Sequence, residues 1–194
     1  MTKLEISPYL MSFGTGGAHL NESVALANLR VAGATWEAVT ACTKVFAVRK
    51  EASAKRLVRE LTSRLQRLDD NDIALLCAGD RMEQQALLWL AICRTYRFIR
   101  EWAQEVLVDR AQSYQLQIGY ADYDRFWREK AEQSPELDAL TLSTQAKLRA
   151  VLFRLMRETG ITDDSGKLSG TSLPPSIADH LADGEPLFFA VWQR

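Results

Sequence analysis

Apolar residues return at three- and four-residue spacing through most of this chain, and no convincing alternating run interrupts them. That pattern predicts helices. Between residues 34 and 134 only Gly79 and Gly119 break it. A first helix is expected to start at Asn21, a capping residue type, and to stop at Gly33, with Val24, Leu26, Leu29 and Val31 as its apolar side chains. Thr35 caps a short second helix from Trp36 to about Thr43. A connection holding Lys44, Arg49 and Lys50 leads to a third helix, capped by Ser53 and reaching about Leu68. Its Leu57, Leu61, Leu65 and Leu68 form one stripe. At about 100° per residue, Arg56, Arg59, Ser63 and Arg67 fall opposite, with Lys55 beside them.

Asp80 and Glu83 have capping-box spacing and open a helical stretch reaching about Gln112. Unbroken, it would run about 50 Å, which predicts a kink or a split. It is apolar first (Trp89, Leu90, Cys93) and basic later (Arg97, Arg100), and is expected to be the central packing element. A second helical triad follows. Asp122 to about Glu132 carries Tyr123, Phe126 and Trp127, and Ser134-Pro135 starts another helix. Ser143 or Thr144 starts the third, which ends at Gly160. Leu148, Val151, Leu152, Leu155 and Met156 line its inner stripe, while Lys147, Arg154 and Arg157 point away. In the tail, residues 161–168 suit a tight turn or small hairpin. A short helix is expected around Ser176 to Leu181, and residues 187–192 read as a strand or a docked terminal segment.

Composition keeps this picture globular. The 194 residues are 47% apolar and 25% charged, enough to bury a core and unlike a disordered chain. Cys42, Cys77 and Cys93 are odd in number and lack CxxC spacing, so they read as buried free thiols in a reducing cytoplasm. The first residues lack a signal-peptide pattern. The most apolar stretch, residues 86–93, is far shorter than the ~20 residues a bilayer needs, and no membrane association is expected.

Charge changes the picture. Residues 44–67 hold Lys44, Arg49, Lys50, Lys55, Arg56, Arg59, Arg64 and Arg67 against Glu51 and Glu60, a net of +6 in a chain whose total is −1. A short helix, a turn and an amphipathic helix with an arginine-rich outer face is the arrangement of a helix-turn-helix DNA reader. A merely solvated helix face is the other reading of the same stripe. Lys147, Arg149, Arg154 and Arg157 give the second triad a weaker basic run, open equally to a packing bundle with a wet outer face. Tyr123, Phe126 and Trp127 fit a core better than base stacking.

Catalytic patterns do not emerge. Gly14-Thr15-Gly16-Gly17 lacks the GK[ST] ending of a phosphate loop and reads as a turn. His19 has no metal partner or nucleophile at recognisable spacing, and Asp69, Asp70 and Asp72 read as a solvated loop after a helix end. No cofactor, metal or enzymatic activity is expected.

The chain resembles the BrxA family, small core proteins of bacteriophage exclusion (BREX) defence systems. The resemblance rests on separated blocks. The first are Tyr9, Ser12-Phe13, Gly16-Gly17-Ala18, Leu20, Glu22-Ser23, Thr35-Trp36-Glu37, Ala54-Lys55-Arg56 and Arg59-Glu60. It continues through residues 88–101, Asp122-Tyr123-Asp124, Pro135-Glu136-Leu137, Lys147-Leu148-Arg149 and residues 151–154. It covers about residues 9 to 161. What it implies is an all-α monomer with two helix-turn-helix elements, double-stranded DNA binding, no catalysis and other BREX proteins as partners. The expected organisation is an N-terminal helix-turn-helix region (1–78), a central helical segment (79–118), and a C-terminal helix-turn-helix region with a turn-rich tail (119–194). The expected DNA contacts are Lys55, Arg56, Arg59 and Arg67, with Arg49 and Lys50 gripping phosphates, and Lys147, Arg154 and Arg157 on a second surface. A protein-interaction adaptor and an RNA-binding helical bundle are the rival readings.

Overall fold

The computed structural model describes residues 8–45, 51–169, 173–178 and 181–189. After a 3₁₀ turn (Ser12–Thr15), α1 (Leu20–Val31) and α2 (Trp36–Ala41) precede a second 3₁₀ turn (Thr43–Val45). Then come α3 (Glu51–Leu65), α4 (Asp70–Ala78) and α5 (Arg81–Thr95). The expected break in the central stretch falls at Tyr96, whose extended backbone separates α5 from α6 (Arg97–Glu101). A π-helical turn (Trp102–Leu107) and α7 (Val108–Gln112) complete that stretch. α8 (Tyr120–Ala131), the single-turn α9 (Pro135–Asp138) and α10 (Leu142–Glu158) form the later bundle, and α11 (Pro175–Ala178) lies in the tail. Among the described residues there are isolated β-bridges and no strand, so the fold is all-α.

Several starts differ from the expectation. α1 begins after His19, which sits in the left-handed region (φ 52°), so Asn21 lies inside the helix rather than capping it. α3 already includes Ser53, and α10 is capped by Thr141, whose hydroxyl accepts from Thr144 N at 3.2 Å. α8 starts after Gly119, whose N–H donates to Asp122 Oδ2 at 2.9 Å. Residues 69–72 are not a loop. Asp69 caps α4 by accepting from Asp72 N at 2.8 Å, with Asp70 and Asp72 in the first turn, where the helix dipole favours acids. The Asp80–Glu83 capping box is formed, with both reciprocal bonds present.

One cluster of buried side chains runs from Tyr9 to Phe188. Phe98 is its hub. The break at Tyr96 turns this ring between the N-terminal segment and α8, 5.8 Å from Tyr9, 5.1 Å from Phe126 and 5.4 Å from Trp127. Tyr123, Phe126 and Trp127 are core residues. The tail docks on α5: Trp89 Nε1 donates to the Phe188 carbonyl at 2.7 Å from a 3₁₀ turn (Glu185–Phe189). That turn replaces the strand alternative, and residues 190–192 lie outside the described residues. The short tail helix is described over Pro175–Ala178 and does not include Leu181, while residues 179 and 180 lie outside the described residues. The turn at 161–168 is pinned by an antiparallel bridge between Thr162 and Leu168. All three cysteines are free, but only Cys93 is buried; Cys42 and Cys77 are half-buried. Among the described residues no helix is long and apolar enough to cross a membrane.

Candidate nucleic-acid interface

The periodicity that buries one side of α3 projects Arg56 and Arg59 from the other. Leu57, Val58, Leu61 and Leu65 are buried, each side chain worth about 1.5–3 kcal/mol on burial. Arg56 and Arg59 are exposed, as is Arg67 in the turn just past the helix. By helix geometry Arg56 and Arg59 lie about 60° apart, and Arg67 follows in the turn beyond the helix. None of the three makes an ion pair with a described residue. Lys55 is exposed too, and its Nζ lies 2.6 Å from Glu51 Oε1 one turn earlier. That ammonium holds the Glu51 carboxyl below its usual range. Lys44 is exposed in the turn before α3, and Arg49 and Lys50 lie outside the described residues.

Arg64, counted in the basic run, belongs to the interior at 2% exposure. Its guanidinium binds the Glu60 carboxylate, donates to the Gly17 carbonyl at 3.1 Å and stacks 5.5 Å from the Tyr96 ring. Tyr96 OH donates to the same Glu60 oxygen at 3.2 Å. Burial pushes the Glu60 carboxyl up, with Arg64 opposing. These two charges cancel inside the protein. What remains exposed among the described residues of this segment is five cations against Glu51. The i, i+4 spacing of Glu60 and Arg64 is the sequence signal that marks such a pair.

A further arginine, absent from the sequence expectation, fixes the end of the ridge. Arg94 Nη1 donates to the Arg67 carbonyl at 3.0 Å and to Asp72 Oδ2 at 3.2 Å. Its Nε and Nη2 make a two-pronged contact with Glu185 at 2.8 and 2.9 Å. Burial pushes the Asp72 carboxyl up, and the neighbouring Asp69 adds to it against the pull of Arg94. Partners 22 and 91 residues distant leave no local pattern to read.

The second surface is thinner. Lys147, Arg154 and Arg157 all lie exposed on one side of α10. Arg154 Nε, however, sits 2.6 Å from Glu158 Oε1. Arg149 is occupied by both Asp124 oxygens at 2.7 Å and lies 4.4 Å over the Tyr120 ring. Lys147 and Arg157 make no ion pair with a described residue. Among the described residues no group of three or more His, Cys, Asp or Glu is placed to hold a metal ion.

Comparison with known proteins places this architecture. A crystal structure of an uncharacterized protein from Magnetospirillum magneticum superimposes with a TM-score of 0.78 at 16% identity, covering 94% of this chain and 96% of that one, a likeness of fold. A BREX protein BrxA of Bacillus cereus (strain H3081.97) is 28% identical over 116 residues, 60% of this chain and 58% of that protein. Its counterpart in Escherichia coli O9:H4 (strain HS) is 22% identical over 129 residues, 66% of this chain and 61% of that protein. The matched stretches thus span about three-fifths of either relative. The family model described as BrxA matches residues 7–184, nearly the whole fold described above, and the chain belongs to the BrxA family.

Proposed function

We propose that this protein is a non-catalytic accessory of a BREX-type phage-defence system that binds double-stranded DNA as a monomer, through cationic surfaces on two helix-turn-helix elements. The single observation that carries this reading is the α3 ridge. Arg56, Arg59 and Arg67 stand together, exposed and without an ion pair to a described residue. Ordinary surface helices intersperse both signs, whereas phosphate binding calls for cations of one sign on one face. The short α2 precedes the amphipathic α3 as the first helix of a helix-turn-helix precedes its recognition helix, the second, which lies in the major groove while the first crosses the backbone. Lys147 and Arg157 on α10 form the lesser surface. The names of the relatives, BREX protein BrxA, support membership of a defence system and other BREX proteins as partners.

The test is an anisotropy titration of labelled duplex DNA, duplex RNA and single strands across a salt series. Duplex DNA is expected to bind with a steep log–log salt slope, about 0.9 for each phosphate neutralised. Arg56→Ala with Arg59→Ala is expected to lower that slope by about 2. An unchanged affinity and slope in the double variant removes the α3 ridge from the interface. Tighter binding of duplex RNA points to the helical-bundle alternative, and no binding of any nucleic acid to the adaptor.

A further inference from the structure

α10 contains a single acidic residue, Glu158, and it stands within the basic surface rather than away from it. By helix geometry Lys147, Arg154 and Glu158 share an arc of about 40°. Glu158 is held at both oxygens. Oε1 accepts from Arg154 Nε at 2.6 Å, and Oε2 accepts the backbone N–H of Ala18 at 2.5 Å. The loop is shaped for this contact: a Cβ on Gly17 would collide with both carboxylate oxygens and Cδ, so only glycine lets the carboxylate approach. The group remains a third exposed, with Arg154 more than half exposed. Exposed pairs of this kind are weak and yield to a competing anion. The Ala18 bond, however, keeps the negative charge on the ridge even when Arg154 swings away.

We propose that Glu158 is an intramolecular competitor for the DNA phosphate that Arg154 would otherwise neutralise, and that it sets how strongly the α10 surface grips a duplex. This rests on the DNA-binding reading above. In the resting protein the carboxylate fills the role of a phosphate oxygen, accepting from one guanidinium and one backbone N–H. A duplex approaching α10 then meets Lys147 and Arg157 as effective cations, while Arg154 is spent internally and Glu158 repels the backbone.

The inference is tested with Glu158→Gln, which keeps the shape and an acceptor for Ala18 N–H but removes the charge. In a duplex DNA titration across salt, E158Q is expected to bind about five- to tenfold tighter at 0.1 M salt, with a log–log slope steeper by about 0.9. Adding Arg154→Ala to E158Q should return affinity and slope to near wild type, which a merely structural role for Glu158 would not produce. Arg154→Gln alone leaves the Glu158 carboxylate, still held by Ala18 N–H, unbalanced beside the duplex, so affinity should fall several-fold, and adding E158Q should restore it to near wild type. The competitor role is overturned if E158Q binds like wild type, if its gain survives loss of Arg154, or if E158Q fails to restore the affinity lost in R154Q. Should wild type bind through Arg56 and Arg59 while E158Q matches it, only this inference fails. Absence of duplex binding by both proteins at low salt overturns the DNA reading and the inference with it.

Discussion

Arg59 and Arg64 lie on one helix, five residues apart, and do opposite work. Arg59 keeps its charge in water, where removal costs little stability; Arg64 spends its charge on Glu60 and the Gly17 carbonyl inside the core. Breaking a buried pair from one side leaves an uncompensated charge and costs about 3–5 kcal/mol, whereas surface changes stay within about 0.5 kcal/mol. Urea unfolding should therefore show Arg64→Ala strongly destabilised and Arg59→Ala near wild type. Replacing the pair together, Arg64→Met with Glu60→Leu, should recover most of the loss. Duplex affinity should rank the single variants the other way. At this scale the sequence was partly legible. The leucine stripe placed Arg56, Arg59 and Arg67 outside and left Arg64 off that face, because helical angle alone decides it. That Arg154 is engaged by Glu158 was open to reading from their i, i+4 spacing, as for Glu60 and Arg64, but the Ala18 bond that anchors Glu158 was not, since it crosses 140 residues of chain.

At the scale of elements, helix starts follow short-range chemistry where one side chain dominates and drift where tertiary packing decides. The Asp80–Glu83 box reads directly, because both of its bonds are made within four residues. Asp80→Ala is expected to cost about 0.5–2 kcal/mol in thermal or urea unfolding. The helix α4 was hidden for the opposite reason. Its nine residues give too short an apolar period to stand out, and Asp72, read as solvated, is buried against Arg94 from α5. The start of α1 likewise escapes the sequence, because the left-handed His19, not Asn21, turns the chain into the helix. The split of the central stretch was foreseen from its length. Its position at Tyr96 is set by the aromatic hub, which needs Phe98 to face the N-terminal segment and α8 together.

Across the whole molecule, two carboxylates latch the ends of the described chain to its middle, and both make stability depend on acid. Near the N-terminus Tyr9 OH donates to Glu101 Oε2 at 2.5 Å, and Arg97 Nε and Lys130 Nζ meet the same carboxylate at 2.6 and 2.9 Å. Near the C-terminus Glu185 holds Arg94 and accepts from Ala182 N at 2.9 Å. Burial pushes both carboxyls up, but the bonds from Tyr9, Lys130 and Arg97 on Glu101, and from Arg94 and Ala182 on Glu185, outweigh it and hold both below the usual glutamate range. A carboxyl depressed in the folded state stabilises fully above its unfolded pKa of about 4.3, and that contribution vanishes as pH falls through the lower folded value. Urea midpoints should thus be flat in this respect from pH 7 to about 5 and drop as pH falls below about 4.3. Glu101→Gln should lose stability at pH 7 and show a shallower drop in acid, because the group whose protonation drives part of the drop is gone. If E101Q instead keeps the wild-type acid slope, Glu101 is not the latch. Because Glu185 reaches the Arg67 carbonyl through Arg94, Glu185→Gln should in addition weaken duplex binding modestly at neutral pH. A clamp holding only the tail would leave that binding unchanged.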